Sequence, residues 1–140
     1  HKELQKEAVR KKVITLPSGR QYAFPTAKWT EWGTATNRTA ICNYPVQGFA
    51  TADLLPAALV RLDKMMRTRN LNSVICNTVH DSIVLDVHPD EKEACINLLA
   101  YAMRSLPEET MNRYGVEYDM PVGIELKIGK NWLDSEEIDV

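Results

Sequence analysis

No apolar run in this sequence approaches the roughly 18 residues that a membrane-spanning helix requires, and the opening HKELQKEAVRKK has no apolar core of a secretory signal. A soluble protein of the cytoplasm, without a membrane partner, is therefore the expectation. Cysteine is scarce as well: Cys42, Cys76 and Cys95 are odd in number and form no C-x-x-C pair. Neither a zinc site nor a disulfide framework is implied by that pattern, and buried reduced thiols are expected. A net positive charge is also missing, since 17 Lys and Arg face 19 Asp and Glu for a net charge of −2. Nucleic acid would thus be attracted only by a local basic surface, not by the chain as a whole. Neither an internal repeat nor a low-complexity linker interrupts the sequence.

What is present is ordinary globular material. With 140 residues, 44% of them hydrophobic and 26% charged, the chain matches one domain with one core. Lys2 to Lys12 is rich in Lys, Glu and Gln and reads as a solvated helix tail that begins as if cut. Val13 to Leu16 and Gln21 to Phe24 flank Pro17-Ser18-Gly19-Arg20, which predicts a hairpin. Thr26 to Thr39 shows neither helical nor strand period and is expected to be loop.

From Gln47 to Arg69, Leu55, Leu59, Leu62 and Met66 follow helical spacing and predict the long helix. Pro56 lacks an N–H and would clash with the Ala52 carbonyl, so the helix either begins near Thr51 to Asp53 or bends there, and the bend is the favoured expectation. Arg61, Lys64, Arg67 and Arg69 read as a solvated polar face of that helix. A second helix is expected from about Asp90 to Leu106, and a short one from Glu108 to Tyr114 that closes near Gly115. Pro121 to Ile128 alternates as a last strand, and Asp134 to Val140 reads as an acidic tail.

The segment NSVICNTVHDSIVLDVH, Asn72 to His88, organises the rest. β-Branched residues fill both arms around His80-Asp81-Ser82, which predicts a buried hairpin with a tight turn. An imidazole and a carboxylate at such a tip would be held rigidly by the sheet, as a functional site requires. The plain alternative is that Asp81 and Ser82 are turn formers and His80 a strand-end residue. As a site, Asp81 offers the hard oxygens that Mg²⁺ prefers. One carboxylate does not make a catalytic centre, and Asp86 and Asp90 cannot be placed beside it from sequence.

Several of these stretches fall in the order of a larger pattern. Asn43-Tyr44-Pro45-Val46-Gln47-Gly48, a long helix, Val79-His80-Asp81 and Gly129-Lys130-Asn131-Trp132 together resemble the C-terminal part of the family A, DNA polymerase I-like, DNA polymerases. The hairpin Thr15 to Arg20 leading to Phe24-Pro25 is similar to the family's stretch between fingers and palm, and NYPVQGFATAD resembles bacteriophage members in particular.

The resemblance implies an α+β palm-like fold, an antiparallel sheet whose central hairpin is packed by the two main helices. It implies nucleotidyl transfer to a primer 3′ end by a two-metal mechanism, with Mg²⁺ as cofactor and primer-template DNA and dNTP as partners. Asp81 would be the palm aspartate that binds the metals, and His80 would contact the primer end. Gln47 and Asn43 would lie in the minor groove, where donors meet the N3 and O2 acceptors of every base pair. Arg38 resembles the family arginine ahead of that motif, one position further from Gln47 than the family pattern.

Two departures accompany the likeness. Ser82 stands where many members carry Glu, and the family's other metal-binding aspartate and its dNTP-binding fingers helix lie upstream of anything present. The resemblance thus implies a palm fragment, inactive alone, whose residues 1–12 end a fingers helix. Such a fragment would self-associate to cover surface meant for its missing half. The alternative from another class is a small non-catalytic α+β binding or assembly module.

Overall fold

The computed structural model describes residues 1–117 and 122–139. Among them, helices and small antiparallel sheets alternate along the chain, so the α+β expectation holds. Helix α1 (Lys2–Lys11) buries Gln5 and Ala8 and is capped by Lys12 at φ 61°. Strands β1 (Val13–Thr15) and β2 (Gln21–Ala23) form the expected first hairpin, pairing Ile14 with Tyr22. These elements pack with Ala27, Ala35 and Ile41 into one apolar cluster.

The stretch expected to be loop carries more order than its composition suggested. Thr36 N–H donates to the Lys28 carbonyl at 2.9 Å, and Thr30 N–H to the Thr34 carbonyl at 2.9 Å. Trp29 and Ala35 form an antiparallel bridge. A turn at Thr30 to Gly33 closes this small hairpin, and Gly33 takes the left-handed conformation (φ 67°) that follows such a turn.

The long helix begins earlier than expected. α2 (Arg38–Gly48) runs into a π-helical stretch (Phe49–Leu54) and then α3 (Leu55–Thr68). Pro45 and the Gly-containing junction masked the start, because neither residue favours a helix interior. The irregularity expected from Pro56 is the π-helical stretch. Without the Pro56 N–H, the Ala52 carbonyl loses its ordinary helical donor, and the Arg20 guanidinium supplies one at 3.2 Å.

Strands β3 (Val74–Val79) and β4 (Ser82–Asp86) form the hairpin at the centre of the sequence reading. Ile75, Ile83 and Leu85 pack on Leu62 and Met66 of α3 and on Leu98 and Ala102 of α4 (Lys92–Arg104). Two helices therefore cover one face, as expected. The hairpin is less buried than its apolar arms suggested, with Val74 53% and Val79 39% exposed. Its sheet has two strands among the described residues, not the larger sheet that would bury both faces.

A 3₁₀ turn (Pro89–Glu91) leads into α4, and α5 (Leu106–Tyr114) ends at Gly115. Both agree with the predicted helices within two residues. The last strand, β5, spans only Leu126–Gly129, and the first residue expected in it, Pro121, lies outside the described residues. The supposed acidic tail is largely strand β6 (Ser135–Ile138), paired with β5 so that Ile128 opposes Glu136. Acidic composition hid a strand that needs only Ile138 to face Leu126.

Among the described residues the core divides into three apolar clusters, where one core was expected. Arg61, read as solvated, instead donates to Glu109 at 2.7 Å and to the Tyr101 hydroxyl at 3.0 Å. That contact ties α3 to both α4 and α5. Cys42 and Cys95 are buried as expected, while Cys76 is exposed beside a bulge in β3.

Candidate functional site

The turn joining β3 to β4 consists of His80 and Asp81, because Val79 pairs directly with Ser82. His80 sits at φ 54°, a left-handed conformation uncommon for a residue with a side chain. The Ser82 hydroxyl donates to the Val79 carbonyl at 2.8 Å and so closes the turn. Ser82 is thereby occupied with the backbone. His80 and Asp81 project into solvent.

At the other end of the hairpin, Glu91 ties down the residues that lead into β3. Its carboxylate accepts from Asn72 N–H at 2.9 Å, Ser73 N–H at 2.9 Å and the Ser73 hydroxyl at 2.6 Å. Those bonds, led by that from the Asn72 backbone, lower its pKa to about 2 from an ordinary 4.5. The Ser73 hydroxyl in turn accepts from His88 N–H at 2.9 Å. Asp86 pairs with Val74 at this same end, five residues or about 16 Å along the strand from Asp81. Neither Asp86 nor Asp90 therefore joins Asp81. Among the described residues no three His, Cys, Asp or Glu side chains come together as a metal-binding group.

Asn43 and Gln47 are both exposed on α2 and, four residues apart, share one face of it. Arg38 is exposed at the first turn. At 3.6 residues per turn, its nine-residue separation from Gln47 places it about half a turn round the helix. The spacing departure noted in the sequence thus has a geometric consequence: Arg38 does not share the Asn43/Gln47 face.

The hairpin tip and Gln47 border a common apolar cluster. Ile83, two residues beyond Asp81, and Phe49, two beyond Gln47, both pack against Leu54, Ala57, Ala58 and Leu106. The framework around that junction escaped sequence reasoning. Asp53, buried in the π-helical stretch, accepts from the Ser18 hydroxyl at 2.6 Å and from Arg20 Nη2 at 3.0 Å. At Gly48 the Tyr22 ring lies so close that an added Cβ would overlap its hydroxyl and stand 2.7 Å from Cζ. The one available signal was a Pro four residues after Ala52, which strands a carbonyl that some distant donor must satisfy.

The family model of DNA polymerase family A matches residues 1–134. The chain belongs to DNA polymerase family A. DNA polymerase I of Lactococcus lactis subsp. cremoris is 35% identical to this family A chain over 99 residues, which are 71% of the chain and 10% of that relative. The DNA polymerase of Bacillus phage SP01 is 36% identical over 95 residues, 68% of the chain and again 10% of the relative. The family A segment therefore spans about a tenth of the curated relatives it matches. In fold it is similar to the POL domain of Pol1 from M. smegmatis, solved in complex with DNA primer-template and dNTP. That likeness has a TM-score of 0.69 at 21% identity and covers 86% of this chain and 20% of the other. Membership in this polymerase family favours the polymerase reading over a free-standing binding module.

Proposed function

We propose that this chain is the C-terminal palm portion of a template-directed DNA polymerase of bacteriophage type, working in the cytoplasm of a bacterial host. The observation that carries the proposal is the common cluster under Ile83 and Phe49, which ties the hairpin tip and the Asn43/Gln47 face to one junction. In this reading Asn43 and Gln47 present amide donors to the minor-groove N3 and O2 acceptors, which are shared by all correct pairs and displaced in mismatches. His80 contacts the primer end, with its backbone fixed by the turn. Arg38, turned from the groove face, contacts phosphate.

Asp81 is an exposed carboxylate at a rigid turn, and one such ligand is what Mg²⁺ commonly takes from a protein beside substrate phosphates. When bound, the metal pair of such a site neutralises charge that develops on the attacking and leaving oxygens. The remaining ligands come from outside the described residues, and so do the dNTP contacts. Ser82 replaces a second acid with a bond that stiffens the turn, so Asp81 carries the metal role without it. Alone, the chain is incomplete and inactive.

The test is made in the whole polymerase that carries this segment. Asp81→Ala should lower primer extension by about a thousandfold, the equivalent of losing several kcal/mol of Lewis-acid stabilisation, while duplex affinity is unchanged. Retained extension would remove Asp81 from the reaction.

A further inference from the structure

The hairpin Lys28 to Thr36 is built for presentation. Its base is anchored by Ala27 and Ala35, 0% and 3% exposed, and by the Gln5 side chain, whose carbonyl accepts from Ala35 N–H at 2.9 Å. The Thr30 hydroxyl is tied to the Thr34 carbonyl at 2.9 Å, and Lys28 N–H donates to the Thr36 hydroxyl at 3.1 Å. On this ordered turn Trp32 is 86% exposed and Trp29 46%. The fold leaves Trp32 almost wholly and Trp29 about half uncovered, and two exposed indoles on one fixed turn are apolar surface of the kind that contacts a ligand.

Charge narrows the occupant. Lys28 and Arg38 flank the hairpin and have no side-chain partner among the described residues. Lys28 adjoins Trp29 and Arg38 follows the hairpin by two residues, with Glu31 the one acidic residue between them, so cations neighbouring exposed indoles along the chain offer the pairing that tracks a phosphate backbone while bases stack. A duplex hides its base faces within the stack, so an indole in this position meets the face of an unpaired base. The threonine hydroxyls are spent inside the turn and leave little to read base edges, which makes the contact tolerant of sequence.

We propose that Lys28 to Thr36 is a stacking platform for single-stranded nucleic acid, with Trp32 as its main contact and Lys28 and Arg38 holding the adjoining phosphates. Taking the strand to be the unpaired template beyond the primer rests on the polymerase reading. The stacking itself does not.

The experiment uses the whole polymerase that carries this segment with three labelled DNAs: a blunt duplex, the same duplex with a 5′ overhang, and an oligothymidine. Binding is read by anisotropy. Trp32 is exposed, so its replacement leaves the fold intact, as circular dichroism would check. Trp32→Ala should weaken binding to the overhang and to oligothymidine about tenfold and leave the blunt duplex unchanged. Trp32→Phe should keep most of the affinity, Glu31→Gln should tighten it by removing a repelling carboxylate, and Trp132→Ala should change nothing. Absence of single-strand binding by the parent polymerase would overturn the proposal. So would an unchanged Trp32→Ala, an equal loss on blunt duplex, or a change in oligomer size without loss of single-strand affinity. Replacing Asn43 and Gln47 by Ala should weaken only the duplex; if it does not while the Trp32 effect stands, the minor-groove reading falls and the platform survives.

Discussion

Gly48→Ala probes how firmly the first hairpin is locked against the junction that carries Gln47. The added Cβ would overlap the Tyr22 hydroxyl and lie 2.7 Å from Cζ. Tyr22 has little room to retreat, since it packs on the Ile14 and Phe24 cluster and its ring meets Tyr44 at a centroid distance of 6.1 Å. Overpacking of this kind costs about 1–3 kcal/mol. Against that, alanine in place of glycine within a helix gains about 1 kcal/mol. The net expectation is a loss of about 0–2 kcal/mol, which alone would not decide the matter. A double-mutant cycle does. In a Tyr22→Ala background the obstacle is gone, and Gly48→Ala should stabilise by about 1 kcal/mol. The two backgrounds should therefore differ by a coupling energy of about 1–3 kcal/mol. Urea unfolding of the four proteins measures it. A coupling within about 0.5 kcal/mol of zero, the usual scatter for independent sites, would refute the close approach of Tyr22 to the Gln47 junction.

Four further outcomes are expected. Because the folded-state pKa of Glu91 is depressed to about 2 from 4.5, its stabilising bonds are fully present above about 4.5 and lost as pH falls toward about 2; Glu91→Gln should flatten the acid limb of a urea-midpoint profile in that window. Leu62, 0% exposed between the hairpin and α4, should cost about 2–5 kcal/mol when cut to Ala, read as a lowered unfolding free energy. The chain by itself should extend no primer, since Asp81 is a lone carboxylate, and should self-associate through the exposed β3 arm; extension above a no-enzyme control or a monomer in light scattering would contradict these two expectations.

Much of the architecture was legible because hydrophobic period is a local signal. Leu55, Leu59, Leu62 and Met66 announced α3, and the β-branched arms around His80-Asp81 announced β3 and β4. What stayed hidden was decided at long range. Helix α2 passes through Pro45 and runs into a π-helical stretch, both unfavourable in isolation, and is held there by Ser18 and Arg20 bonding to Asp53 and by Tyr22 packed against Gly48. Strand β6 reads as acidic tail because only its pairing with β5 makes it a strand. The Trp hairpin has no period at all, and its order comes from backbone bonds that Gly33 permits and from the Gln5 anchor. For the candidate site, Asp81, His80, Asn43 and Gln47 were named from motif order through the family resemblance. The half-turn offset of Arg38 needed the helix itself, and the exposure of the tip needed the absence of a third strand among the described residues.

The central claim is that the His80-Asp81 turn and Gln47 meet at one primer end. It is tested most directly by placing a photoreactive nucleotide at the primer 3′ terminus, irradiating the complex with the polymerase that carries this segment, and mapping the cross-links by mass spectrometry. Cross-links within Val79 to Ser82 and at Gln47 or Gly48 are the predicted result. Cross-links confined to α4, α5 or the β5–β6 hairpin, with none at either of those two positions, would contradict it.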